Sequence, residues 1–167
     1  MSRVGKQPIA IPDGVTVTVG ETEVRVKGPK GELQQALVQP IKVLIDEDAK
    51  QVQVERASDS KPHRALHGLY RALINNMVVG VTQGYEKRLR IVGTGFRVEL
   101  QGQALVLQAG FSHPVNFPIP AGIEIEVPKA TSREYMDFIV RGTDQQLEGE
   151  PAAELRRLRP PDHYKGK

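Results

Sequence analysis

Short runs in which apolar and polar residues alternate recur along most of the chain, as in Val15-Thr-Val-Thr-Val19, Val24-Arg-Val26, Val43-Leu-Ile45 and Val52-Gln-Val54. A period of two puts every second side chain on the same side, so these runs predict short antiparallel strands with one buried face. Gly20-Glu21, Gly28-Pro29-Lys30-Gly31 and Asp46-Glu47-Asp48 supply the turns between them. The period changes after Ser58-Asp59-Ser60, whose side-chain oxygens can accept the unpaired amide hydrogens of a helix start, with Pro62 tolerated in the first turn. A helix is predicted from about Lys61. Leu66, Leu69, Tyr70, Leu73, Ile74, Met77 and Val78 form an apolar stripe that must cover a sheet, and Gly80 is the expected stop. After Gly84 the alternation resumes in Leu89–Val92, Phe96–Val98, Leu105–Leu107, Ile123–Val127 and Phe138–Val140, before a second capped helix from about Gln145 to Leu158.

The two halves resemble each other. Val54-Glu-Arg-Ala-Ser-Asp59 lies against Ile139-Val-Arg-Gly-Thr-Asp144, a strand end followed by a helix cap, at an offset of 85 residues. Earlier strands match at about 80, with Ile45 against Ile125, so the second half carries a short insertion, placed around Lys129 to Tyr135. Two copies of one unit is the simplest account. The expected fold class is α+β: two similar domains from an internal duplication, each an antiparallel sheet with one helix packed on one face. Their expected ranges are residues 1–81 and 82–158, followed by an arm over 159–167.

Composition narrows the function. The chain has 167 residues with no cysteine and no tryptophan, so disulfide frameworks, thiolate metal clusters and cysteine nucleophiles are excluded, and a reducing cytoplasm is the expected compartment. No apolar run approaches the roughly 18 residues of a membrane-spanning helix, and no membrane partner is expected. Net charge is +3, distributed as +2 over residues 1–81, −2 over 82–150 and +3 over 151–167. A basic end on a nearly neutral body suits phosphate neutralisation, or else is a solvated tail.

Candidate catalytic motifs fail on spacing. Gly93-Thr-Gly95 opens like a dinucleotide fingerprint but lacks the third glycine and leads into a strand. Gly28-Pro29-Lys30-Gly31 lacks the spacing and the Ser/Thr of a phosphate loop and reads as a hairpin turn. Ser112 and His113, as neighbours in an extended chain, would point apart and form no dyad. His63 and His67 have ligand spacing, but Arg64 stands where a zinc-peptidase motif needs glutamate, and a solvated pair is the better reading. Glu124 and Glu126 read as the wet side of a half-covered sheet. No enzyme, cofactor, metal or small-molecule substrate is expected.

Binding chemistry is better supplied. Lys87-Arg88-Leu89-Arg90, extended by Arg97, puts Arg88 and Arg90 on one strand face and Lys87 with Leu89 on the other. Gly110-Phe111-Ser112-His113-Pro114 is a turn whose hydroxyl and imidazole can donate to phosphate or ribose oxygens, or alternatively a structural hairpin burying Phe111. Arg156 and Arg157 close the predicted helix, and Arg159, His163, Tyr164, Lys165 and Lys167 follow in an arm that Pro160-Pro161 makes extended. It suits a groove of folded RNA, where Tyr164 stacks and the cations meet phosphates. A protein adaptor using sheet edges, with salt-insensitive binding, is the rival reading.

At these residues the sequence resembles a known family. Met1-Ser-Arg-Val-Gly-Lys6 with Pro8 and Ile11-Pro12, the central Gly-Phe-Ser-His-Pro-Val, and the closing Arg-Pro-Pro-Asp-His-Tyr-Lys-Gly-Lys together resemble the bacterial large-subunit ribosomal protein six family, over essentially the whole chain. The resemblance implies two duplicated α+β domains, no catalysis, and a place near the stalk base and the translation-factor region. It implies binding to large-subunit ribosomal RNA beside neighbouring large-subunit proteins. Carried over, the main RNA contacts are the helix-end and arm residues above with Ser112 and His113; Lys87, Arg88 and Arg90 come from charge clustering alone.

Overall fold

The computed structural model describes residues 5–46, 48–128 and 135–162. The chain divides into two compact units, residues 1–84 and 85–167. In the first unit, strands β1 (Ile9–Ala10), β2 (Thr16–Val19), β3 (Glu23–Gly28), β4 (Gly31–Ala36), β5 (Ile41–Asp46) and β6 (Gln51–Arg56) precede helix α1 (Lys61–Thr82). In the second, β7 (Tyr85–Val92), β8 (Arg97–Gln101), β9 (Ala104–Gln108), β10 (Val115–Pro118), β11 (Ile123–Glu126) and β12 (Tyr135–Gly142) precede α2 (Gln145–Leu158). Sheets ordered β1-β6-β5 and β2-β3-β4 in the first unit reappear as β7-β12-β11 and β8-β9-β10 in the second, all antiparallel. The duplication is thus written in the pairing as well as in the order of elements, and the fold is the expected α+β.

The strand facing corrects one alignment. Val43 pairs with Val54 in the first unit and Ile125 with Val140 in the second, and Val54 and Val140 are both buried. Val54 therefore shares its inward facing with Val140 rather than with Ile139, while Ile45 against Ile125 keeps matching partners, since Ile45 pairs with buried Val52 as Ile125 pairs with buried Val140. The cap motif misleads because the link from the last buried strand residue to the helix is two residues shorter in the second unit, running to Asp144 instead of to Ser60. The insertion falls where expected, since residues 127–134 join β11 to β12 where residues 47–50 join β5 to β6.

Inward residues of the alternating strands build each core. In the first unit Ile9, Val24, Val26 and Val52 meet Ile74 and Val81 of α1. Each such side chain contributes roughly 1.5–3 kcal/mol through burial. The helix stripe differs from expectation at two positions. Leu69 is 51% exposed, whereas His67 is buried at 4%. The helix also runs past Gly80, which is buried, because Val81 is needed in the core. Its stop is Gly84, whose φ of +76° admits the left-handed turn that lets Gln83 and Gly84 both donate to the Val79 carbonyl. At the other end Ser60 is the cap residue but makes no side-chain cap bond; Asp59 is held by Arg56, and Ser58 Oγ lies 2.6 Å from His63 Nδ1. Asp144 does cap α2, accepting from the Gln146 amide at 2.8 Å.

β1, β4 and β10 were not legible as strands. Each is an edge strand: β1 has two residues, β4 reads Gly-Glu-Leu-Gln-Gln-Ala, and β10 ends in proline. The Gly28–Gly31 hairpin is as expected, with Gly28 and Gly31 paired and Pro29-Lys30 at its tip. Lys30 holds no phosphate; its ammonium donates to the Gln83 carbonyl and its amide to the Val81 carbonyl at 3.0 Å, pinning the hairpin to the end of α1.

Candidate RNA interface

Three separate stretches of the second unit meet at one place. Helix α2 ends at Leu158 because Pro160 and Pro161 cannot continue it, and Arg159 leaves in extended geometry with φ −139° and ψ 92°. Arg156, Arg157 and Arg159 are all exposed. The Arg159 guanidinium lies 5.5 Å from the centre of the Phe111 ring, in the turn between β9 and β10, so the helix end and the Gly110–Pro114 turn are neighbours. Phe111 is 42% exposed rather than the buried anchor of a plain hairpin.

Ser112 and His113 are exposed in that turn. Ser112 Oγ lies 3.3 Å from His113 Nδ1, so the expectation that they point apart is corrected: the residues occupy a bend, where strand alternation does not apply. They border a concavity of about 380 Å³ whose wall includes Phe96 and Phe111.

A second hollow, of about 320 Å³, opens on the far side of those rings. Leu107, Phe138 and Leu155 give it an apolar floor, and Arg88, Arg90, Arg156 and Arg159 line it, with no acidic residue in the lining among the described residues. The charge cluster of β7 and the arginines of α2, distant in sequence, are thus brought to one site. Arg97 lies instead on β8, in the other sheet.

The basic residues of β7 divide by partner. Arg88 and Arg90 share the outer face as expected, but Arg90 forms a two-pronged bond to Asp137 at 2.6 and 2.9 Å and lies 4.3 Å over the Tyr135 ring. Its hydrogen bond is the main cause that holds the Asp137 carboxyl below its ordinary value, with Arg88 adding a smaller pull. Lys87 points to the helix side and pairs with Glu148 at 3.8 Å. Glu148 is buried against β12, where a Cβ on Gly142 would come within 3.0 Å of Glu148 Cβ. Burial pushes its carboxyl above the ordinary value, partly opposed by Lys87.

The histidine pair on α1 is corrected. His67 is a core residue: its Nε2–H donates to the Val54 carbonyl at 2.8 Å, and its Nδ1 accepts from Arg56 Nη1 at 2.9 Å, fastening α1 to β6. Glu124 and Glu126 are exposed as expected, and Glu126 bonds Arg141 at 2.6 Å. His163, Tyr164, Lys165 and Lys167 lie outside the described residues. Phe96 and Phe111, which line both hollows, were not among the expected site residues. The available signal was glycine: a Cβ on Gly93 would come within 2.6 Å of the Phe96 ring and one on Gly110 within 3.0 Å, so both glycines are shaped around it.

Comparison with known proteins places this arrangement in context. A family model described as ribosomal protein L6 matches residues 11–84 and 92–167, essentially one segment in each unit. The large ribosomal subunit protein uL6 of Natranaerobius thermophilus is 51% identical over 167 residues, covering 100% of this chain and 90% of the relative. The proteins of the same name from Listeria welshimeri and Carboxydothermus hydrogenoformans are 50% and 52% identical over the same 167 residues, covering 90% and 88% of those relatives.

Proposed function

The chain belongs to the ribosomal protein L6 family, and on that premise we propose that it binds large-subunit ribosomal RNA through the carboxy-terminal face of its second unit. The protein is a structural component of the large ribosomal subunit and not an enzyme. The observation that carries the RNA reading is the convergence of Arg88, Arg156 and Arg159 with exposed Phe111 around one hollow whose lining, among the described residues, holds no acid. Cations there meet phosphates, while flat groups offer stacking surface, the combination that folded RNA with splayed bases requires.

Arg156, Arg157 and Arg159 are the principal contacts, with Ser112 and His113 donating to backbone oxygens from the adjoining turn. On sequence grounds His163, Tyr164, Lys165 and Lys167 extend the same interface along an arm over 159–167. Lys87 and Arg90, committed to Glu148 and Asp137, add to the local potential and hold the strand rather than reaching the RNA first. Neighbouring large-subunit proteins complete the surroundings, in the ribosome of the cytoplasm.

The test is affinity for protein-free large-subunit RNA across a salt series, comparing the chain with a variant carrying Arg156→Gln, Arg157→Gln and Arg159→Gln. Each lost phosphate contact should flatten the logarithmic salt slope by roughly 0.7–0.9. The melting temperature should hardly move, since all three side chains are exposed. An unchanged slope overturns the assignment. A position near the stalk base and the translation-factor region is part of the same proposal. Because the chain has no cysteine, Ser112→Cys gives a unique attachment point for a hydroxyl-radical source, and cleavage away from the stalk base refutes that position.

A further inference from the structure

The two units are duplicates whose helices differ in reach, and the difference exposes a site. Helix α1 has 22 residues and packs on strands of both sheets of its unit, β3 and β4 as well as β5 and β6. Helix α2 has 14 residues and packs chiefly on β7 and β12, strands of one sheet. In the first unit the final turns of α1 carry Met77, Val78 and Val81 into the core. In the second the helix has already stopped at Leu158, and the inner face at Leu107 is left beside the 320 Å³ hollow. Among the described residues, the last turns of α1 thus pack into the first core, whereas the end of α2 borders a hollow.

Its chemistry narrows what fills it. The floor is apolar, the walls include the Phe111 and Phe96 rings, and Arg156 and Arg159 stand at the helix end. Five successive residues of β7, Arg88 to Val92, line it, and among the described residues β7 is the edge strand, paired with β12. An occupant that is flat, apolar on its faces, able to bond along a strand edge and attached to an anion fits all of these features, and a nucleotide has each of them. We propose that this hollow receives one unstacked nucleotide of the bound RNA, its base against Phe111 and the apolar floor and its phosphate on Arg156 and Arg159. The proposal rests on the RNA-binding reading above and deepens it, naming the hollow as the place that holds a single splayed nucleotide, base and phosphate together.

The test uses the full chain and methyl-selective NMR of Ile91, Val92, Val115 and Leu158, titrated with adenosine monophosphate, with ribose phosphate and with N-acetyl-leucinamide. Adenosine monophosphate should shift these methyls where ribose phosphate at equal concentration does not. Phe111→Ala should weaken that binding by about fivefold or more, the lower end of base stacking on an aromatic ring. Arg159→Gln, at an exposed position, provides a second variant and should weaken it too. Equal response to ribose phosphate reduces the site to an anion patch and overturns the proposal. Saturation by N-acetyl-leucinamide at lower concentration assigns the hollow to a protein side chain and overturns it. A response to adenosine monophosphate only in a chain ending at Asp162 gives the hollow to the chain's own last residues and overturns it as well. Failure here with the ribosomal RNA salt slope intact removes only the nucleotide site; a lost slope with adenosine monophosphate still bound removes the broader reading instead.

Discussion

Replacing Glu148 by leucine should stabilise the second unit at neutral pH and do so in a pH-dependent way. The side chain is 1% exposed, its Oε1 has no hydrogen-bond partner among the described residues, and its other oxygen lies 3.8 Å from Lys87 Nζ, beyond a good hydrogen bond. A buried acceptor left unpaired costs about 1–3 kcal/mol, and exchanging a buried ionic group for an apolar one of similar volume is often neutral or favourable. Against this, an acid in the early turns of a helix gains about 0.3–1 kcal/mol from the helix dipole. Lys87, half exposed, loses little because water can replace its partner. The expected net gain is about 1 kcal/mol at neutral pH, or roughly 4–8 °C in Tm for a unit of this size. Burial raises the Glu148 carboxyl above 4.5, so the native state binds its proton more tightly than the unfolded chain does. The penalty is absent below that ordinary value, grows as pH rises through the interval up to the raised value, and is complete above it. Urea unfolding followed by circular dichroism at about pH 7 and about pH 4 reads both features. The reasoning is refuted if the variant is the less stable protein at the higher pH, or if the gap between the two proteins is the same at both.

Further outcomes follow from the packing. Ile74→Ala empties a fully buried position of the first core and should cost about 2–5 kcal/mol, whereas Leu69→Ala, on the same helix but mostly exposed, should stay within about 0.5 kcal/mol; chemical denaturation of the pair separates the two helix faces. Gly28→Ala would place a Cβ 2.6 Å from Val81 Cγ2 and 2.9 Å from the Val81 carbonyl oxygen, and should destabilise by about 1–3 kcal/mol in thermal unfolding. The backbone oxygen cannot rotate aside as a side chain would, so a neutral result there would mean the hairpin and the end of α1 shift apart freely.

Local patterns decided most of the architecture. Alternation located the strands that face a core, because burial on one face forces a period of two, and the cap at Asp144 marked α2 to the residue. Duplication was visible in the order of these signals. The arginines around 156–159 were equally legible, since a charged segment broken by two prolines has no core to enter. What escaped was whatever a neighbour in space determines. Edge strands such as β10 owe their shape to a partner strand rather than to their own pattern. His67 reads as a wet residue until Val54 and Arg56 are seen around it. Glu148 sits in register with Pro151, Ala152 and Leu155 on the buried stripe of α2, yet its charge hid that placement. The proposed interface divides in the same way: the sequence by itself supplied its cations, but only the tertiary structure joined β7, the Phe111 turn and the end of α2 around one hollow. That hollow lies where the end of the 14-residue α2, strand β7 and the Phe111 turn come together, and a meeting of segments distant in sequence leaves no periodicity in the chain to read.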